Sequence, residues 1–277
     1  MRFITKAATT ASVLTLCLAG GAHAQISINA LATDAQGNRV YTQNFDTLLS
    51  TGNTNPISVI PGLVSNQTTY MAGTGSSSTG GLYSFGVAGV NPATDRALGS
   101  IPTNALGDII YGFQFTNNTG ATINNLTISY TGEQYRRGGN TTAPTPPERL
   151  QLSYAVNPTS VTSGTYTTVP SLDFNSPQYG AAGALDGNAT ANRTAIAATA
   201  FNITGGLADG QTLIIRFTDA NDAGSDNGLA VDDFSVTFAA VPEPSSVVFG
   251  LMGAGMGSVQ FLRVRYRRRN SKATIAA

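Results

Sequence analysis

The chain has 277 residues with 15 basic and 15 acidic side chains, but the balance hides a sorting by region: residues 25–240 carry 7 Arg against 12 Asp and 2 Glu, a net of −7, while both ends are basic. The only Cys (Cys17) and the only His (His23) lie in the first 24 residues, Lys occurs only at Lys6 and Lys272, and Trp is absent. The central part therefore excludes Ser-His-Asp and Cys-His nucleophiles, Schiff-base lysines, disulfides and zinc or copper sites built on imidazole or thiolate, and its net negative charge argues against a nucleic-acid partner.

In chain order, Met1-Arg2-Phe3-Ile4-Thr5-Lys6 is followed by an apolar stretch from Ala7 to Leu18 and then by Ala22-His23-Ala24. A basic start, a short apolar core and an A-x-A site predict a secretory signal helix over 1–24, cut by signal peptidase between Ala24 and Gln25.

Residues 25–240 are long enough for one extracellular domain. Thr (36), Asn (21) and Gly (31) are abundant across the chain. Thr favours strands whereas Asn and Gly favour turns, which points to an all-β domain with many loops. Alternation agrees: Ile109, Tyr111, Phe113 and Phe115 share one strand face, Leu126, Ile128 and Tyr130 the next, and the two segments read as a hairpin turning at Asn117-Asn118-Thr119-Gly120. Leu150, Leu152, Tyr154 and Val156 alternate again, as do Leu213, Ile215 and Phe217, then Phe234, Val236 and Phe238. Period two with turns between predicts an antiparallel two-sheet sandwich of jelly-roll type.

Two stretches read as irregular loops, Ser76–Gly81 and Gly138–Pro147, and such loops at a sandwich edge are where ligands are often bound. Glu133-Gln134-Tyr135-Arg136-Arg137 reads as a Glu-Arg ion pair at a sheet edge. Paired with Glu148 or Asp233, Glu133 is also the candidate for acid-base glycan cleavage, the rival to a non-enzymatic role. Tyr135, Tyr154, Tyr166 and Tyr179 read first as core or half-exposed residues, and otherwise as candidates for stacking on sugar rings, a weaker platform without Trp. The sharpest polar cluster is Asp219, Asn221, Asp222 and Asp226, followed by Asp232 and Asp233. These are the hard oxygen donors calcium takes, although the spacing departs from an EF-hand and lacks a closing Glu. They read either as caps of turns through Asx hydrogen bonds on a soluble surface or as a structural calcium site in an irregular loop.

At the far end, Val241-Pro242-Glu243-Pro244 precedes an uncharged stretch from Ser245 to Leu262 and then Arg263, Arg265, Arg267, Arg268 and Arg269. Eighteen residues in a helix span about 27 Å, close to a bilayer's hydrocarbon core, and the arginines should stay cytoplasmic. The prolines keep the four-residue motif extended. Motif, transmembrane helix and arginine cluster, in this order over 241–269 with a short tail at 270–277, resemble a PEP-CTERM sorting signal. That resemblance implies export, transient anchoring, and processing near Pro242-Glu243-Pro244 by an exosortase, a membrane cysteine protease-transpeptidase. The family is associated with extracellular polysaccharide and biofilm matrix. Phe45-Asp46, Tyr83-Ser84-Phe85-Gly86, Asp95-Arg96-Ala97-Leu98-Gly99 and the segment Gly228–Val236 likewise resemble PEP-CTERM ectodomains. The expected function is structural or carbohydrate-binding rather than enzymatic, at the cell surface or in the extracellular matrix.

Overall fold

A computed structural model describes residues 25–87 and 94–239. Ten strands there have five residues or more: β1 (Arg39–Gln43), β2 (Thr69–Gly73), β3 (Gly81–Gly86), β4 (Arg96–Ile101), β5 (Ile109–Thr116), β6 (Ile123–Arg137), β7 (Arg149–Val156), β8 (Arg193–Leu207), β9 (Thr212–Asp219) and β10 (Gly228–Phe238). They form two sheets. The first has the order β5-β9-β7, bordered by short strands. The second runs β8-β6-β10-β4-β3-β2, with β1 replacing β4 beside the last half of β10. From β4 to β10 the chain changes sheet at every step, so β9 comes to lie between β5 and β7, and β10 between β6 and β4. The all-β, two-sheet expectation holds in this form.

Two details differ from the expectation. The sheets are mixed rather than purely antiparallel, because β2 pairs parallel with β3 and Ile26–Ser27 pairs parallel with the end of β5. The predicted hairpin is instead an arch: β5 and β6 belong to different sheets. Asn117 makes the corner, its buried Nδ2 donating to Ala121 O at 2.8 Å and Leu207 O at 2.7 Å, which ties the crossing chain to the end of β8. Both arms of an arch point their apolar residues into the same core, as the arms of a hairpin do, so alternation alone does not separate the two.

The core lies between the sheets. Phe113, Phe115, Leu152 and Phe217 from the first meet Leu126, Ile128, Tyr130, Phe234 and Phe238 from the second. Phe234 stacks on Phe113 with ring centroids 5.1 Å apart and meets Phe217 edge-on at 5.8 Å. Among the described residues this cluster draws on positions from Ile26 to Phe238 and joins strands of both sheets.

Around β3, β4 and the end of β6 the second sheet is buried on its outer face as well. β3 and β4 are buried along their whole length, which removes the alternation expected of a half-exposed strand. Tyr83, Phe85 and Tyr135 form a ladder with centroids 4.7 and 5.0 Å apart, and Ala97, Ile101 and Ala230 complete this smaller outer cluster. Loops close over it: a Cβ at Gly187 would lie 2.4 Å from the Tyr135 ring, so only glycine lets that loop come so near.

Among the described residues no helix is long and apolar enough to cross a membrane. The expected signal helix with Ala24, the motif Val241-Pro242-Glu243-Pro244, the expected membrane helix and Arg263, Arg265, Arg267, Arg268 and Arg269 lie outside the described residues.

Candidate functional site

β10 begins where two irregular segments come together. Gly138, just past the end of β6, donates its N–H to Asn227 Oδ1 at 2.7 Å, and a Cβ on it would stand 1.8 Å from Ser225 O. The two backbones touch, which is why this position needs glycine. Arg136, one turn of the pleat earlier, donates from Nη1 to Gly75 O at 3.1 Å and Ser76 O at 3.2 Å and holds a third loop in place. The fourth side is Pro102–Ala105, linked onward by Asn221 Nδ2 donating to Asn104 Oδ1 at 3.0 Å. Together they enclose a pocket of about 510 Å³. Its walls are Ser78, Thr103, Asn104, Arg136, Ser225 and Asp226, with backbone and small side chains between.

Three stretches read separately in the sequence thus line one pocket: the Ser76–Gly81 loop, the Gly138–Pro147 loop and the acidic loop ending at Asp226. Thr103 and Asn104 were not singled out by sequence reasoning. Their only signal is a short polar interruption between two strands.

The six residues weighed for a shared calcium ion fall into two groups. Asp219, Asp222 and Asp226 lie near Glu148 at the pocket end of the fold. Asp219 is fully buried, with Ser100 Oγ donating to its Oδ2 at 2.5 Å, and burial raises its pKa well above the usual carboxylate range. Asp226 accepts the N–H of Asp222 at 2.8 Å; burial, with Glu148 and Asp222 adding repulsion, pushes it up to about 7. Glu148 accepts from Asn140 Nδ2 at 2.9 Å and from Asn227 N at 2.7 Å and so braces the pocket loops from behind. Asn221 caps outward, its N–H donating to Asp108 Oδ1 at 3.0 Å.

Asp232 and Asp233 belong to the second group, on the outer face of the other sheet. Asp233 takes a positive φ of 48° and the pairing with β6 slips there by one residue, a β-bulge. Asp232 Oδ1 accepts the Asp233 N–H at 2.7 Å. Burial, then Glu133, Asp233 and Asp95, push Asp232 up to about 8. Glu133 is 1% exposed and accepts from Tyr135 Oη at 2.8 Å; burial pushes it up to about 7, and Asp95 and Asp233 add to that. Glu133 is therefore no surface ion pair: its nearest cationic influence is Arg193, and the ion pair found among the described residues is Arg149–Asp173 at 3.4 Å. Among the described residues no three carboxylates are grouped so as to hold a metal ion.

The four tyrosines weighed for sugar stacking are buried or half-buried, as their first reading has it, and none lines this pocket. Tyr135 and Tyr154 are core residues at 0% and 3% exposure, and Arg216 lies over the Tyr166 ring at 3.4 Å. Tyr179 uses its hydroxyl to accept the Glu148 N–H at 3.1 Å. Any ligand in the pocket meets hydroxyls, an amide, a guanidinium and a carboxylate instead.

No family model matches the chain, and no curated protein matches it. Among solved structures it is similar to a family 35 carbohydrate binding module from Clostridium thermocellum, with a TM-score of 0.27 and 16% identity over 58% of this chain and 88% of the module.

Proposed function

We propose that this protein is an exported carbohydrate-binding or structural component of an extracellular polysaccharide matrix, built on a jelly-roll sandwich and binding glycan non-covalently at the loop-end pocket. The observation that carries the reading is the convergence of three separate polar loops on one pocket of about 510 Å³. Its Ser78, Thr103, Asn104, Ser225, Asp226 and Arg136 supply both donors and acceptors, the complement a polyhydroxylated ligand needs. The jelly-roll reading rests on the strand orders β8-β6-β10-β4 and β5-β9-β7, with the chain alternating between them. Export by a signal peptide, transient anchoring and exosortase processing rest on the sequence at the two ends. The rival, a hydrolase or lyase, needs an acid and a base open to one cleft. Of the carboxylates weighed for that role, Glu133 and Glu148 are 1% and 3% exposed, and Asp233, which is exposed, lies on the outer side of the second sheet with the covered Glu133.

The test is to express 25–240 and measure both retention and chain shortening on the producer's own exopolysaccharide. Retention without shortening is the expected result; shortening would give the enzyme reading the stronger claim. Processing is checked separately with Glu243→Ala in the full chain, which should stay anchored and uncut. If that variant is released as before, exosortase recognition of the motif is wrong.

A further inference from the structure

The borders of the two sheets are unequal. The first sheet is bordered by pieces of two or three residues: Ile26–Ser27 and Leu63–Ser65 on β5, Thr167–Thr168 and Phe174–Asn175 on β7. Two borders of the second sheet end in two-residue pieces, Asn55–Pro56 with its proline and Ala32–Thr33 beside β1. Such short or proline-bearing pieces are how natural sheets blunt an edge. The remaining border is β8, fifteen residues long, and among the described residues only β6 pairs with it.

β8 also lacks the charges that protect an edge. From Thr194 to Ala200 it reads Thr-Ala-Ile-Ala-Ala-Thr-Ala, with Arg193 its one charged residue, in a domain whose net charge is −7. Nine of its fifteen residues are exposed, Ala195, Ala197, Ala198 and Ala200 among them. Its far end is closed off by Tyr154, whose Oη donates to Asn202 O at 3.3 Å and accepts the Thr204 N–H at 3.0 Å. The stretch before that has one side-chain bond to its backbone, Thr199 Oγ1 to Ala197 O at 3.0 Å. A bulge at Ala197–Ala198 bends the strand at the level where β10 bulges too, and it introduces neither charge nor proline.

We infer that β8 is an interaction surface for a second copy of this chain, paired antiparallel with the same strand about a two-fold axis to give one continuous sheet. An extended strand offers alternating N–H and C=O groups that an antiparallel copy of itself satisfies reciprocally. Charge selects the occupant. Two copies of an acidic domain repel over most orientations, and β8 is the border where they meet without opposing carboxylates. Alanine and threonine keep the side chains short enough for backbones to approach at strand spacing.

Sedimentation velocity on 25–240 tests this at concentrations up to about 100 μM, which detects association with a Kd in the micromolar range. Wild type should sediment as a dimer at the upper end, and Ala195→Lys with Ala200→Lys should be monomeric with the same far-UV circular dichroism and Tm. Amide exchange at 194–200 should slow as wild-type concentration rises, while Ala191→Lys, outside the strand, changes neither reading. A wild type that stays monomeric with concentration-independent exchange overturns the inference, and so does a folded double-lysine variant that still dimerises.

Discussion

Phe234→Ala should lower the unfolding free energy of 25–240 by about 3–5 kcal/mol, which for a domain of this size is roughly 10–15 °C in Tm. Phe234 is fully buried where the sheets meet, in contact with Phe113, Phe217 and, at 6.5 Å, Tyr41. Truncation opens a cavity walled by three rings from three strands, which cannot all relax into it. Leu49→Ala is the matched comparison: Leu49 is 50% exposed, and its loss should stay within about 0.5 kcal/mol. Similar losses for both variants in a denaturant titration would mean that the inter-sheet core is not where the stability resides.

Stability should also fall as pH rises. Glu133, Asp226 and Asp232 have folded pKa values raised to about 7, 7 and 8, whereas unfolded carboxylates titrate near 4. Between those limits the folded state holds protons that the unfolded state has lost, so the stabilisation is fully present below about pH 4 and is lost as pH climbs through about 8. A tenfold difference in proton affinity between the folded and unfolded states is worth about 1.4 kcal/mol. With part of that offset by solvent access, the three groups together lose several kcal/mol, or about 10 °C in Tm between pH 5 and pH 9. Glu133→Gln keeps an acceptor for Tyr135 Oη but has nothing to ionise, so it should melt about 5 °C above wild type at pH 9 and close to it at pH 5. A wild-type Tm that is flat or rising over this range would contradict the buried, uncompensated carboxylates. Calcium added to metal-stripped protein at pH 9 acts on the same groups. A higher Tm would support the calcium reading, and an unchanged one would reject it.

The same strand shows what could and could not be read from sequence. Phe234, Val236 and Phe238 face the core, as period two predicts, but so do Leu229 and Val231, one position out of phase. The bulge at Asp232–Asp233 absorbs the slip, so the acidic pair that composition offers as metal donors is where the strand changes face. Its carboxylates gather on the outer side with Glu133, which follows Tyr130 at odd spacing and therefore points away from the core. That outer side carries its own cover, and no local pattern announces a loop folding over a strand from fifty residues away, as Gly187 does over Tyr135. Strand faces, turn positions and loop composition are local properties and were legible. The arch at Asn117, the parallel β2–β3 pair and the meeting of Ser78, Asn104, Gly138 and Asp226 around one pocket depend on contacts distant in the chain, and were not.

The most direct test of glycan binding at the loop ends is affinity electrophoresis of 25–240 in gels containing the producer's exopolysaccharide, run beside Ala105→Trp and Ala182→Trp. Both alanines are exposed on the pocket wall, so an indole there fills the pocket without disturbing the core. Wild type should be retarded, and each tryptophan variant, at unchanged Tm, should bind at least about tenfold more weakly, a difference of about 1.4 kcal/mol. Equal retardation of all three proteins, or none for wild type, would contradict binding at this site.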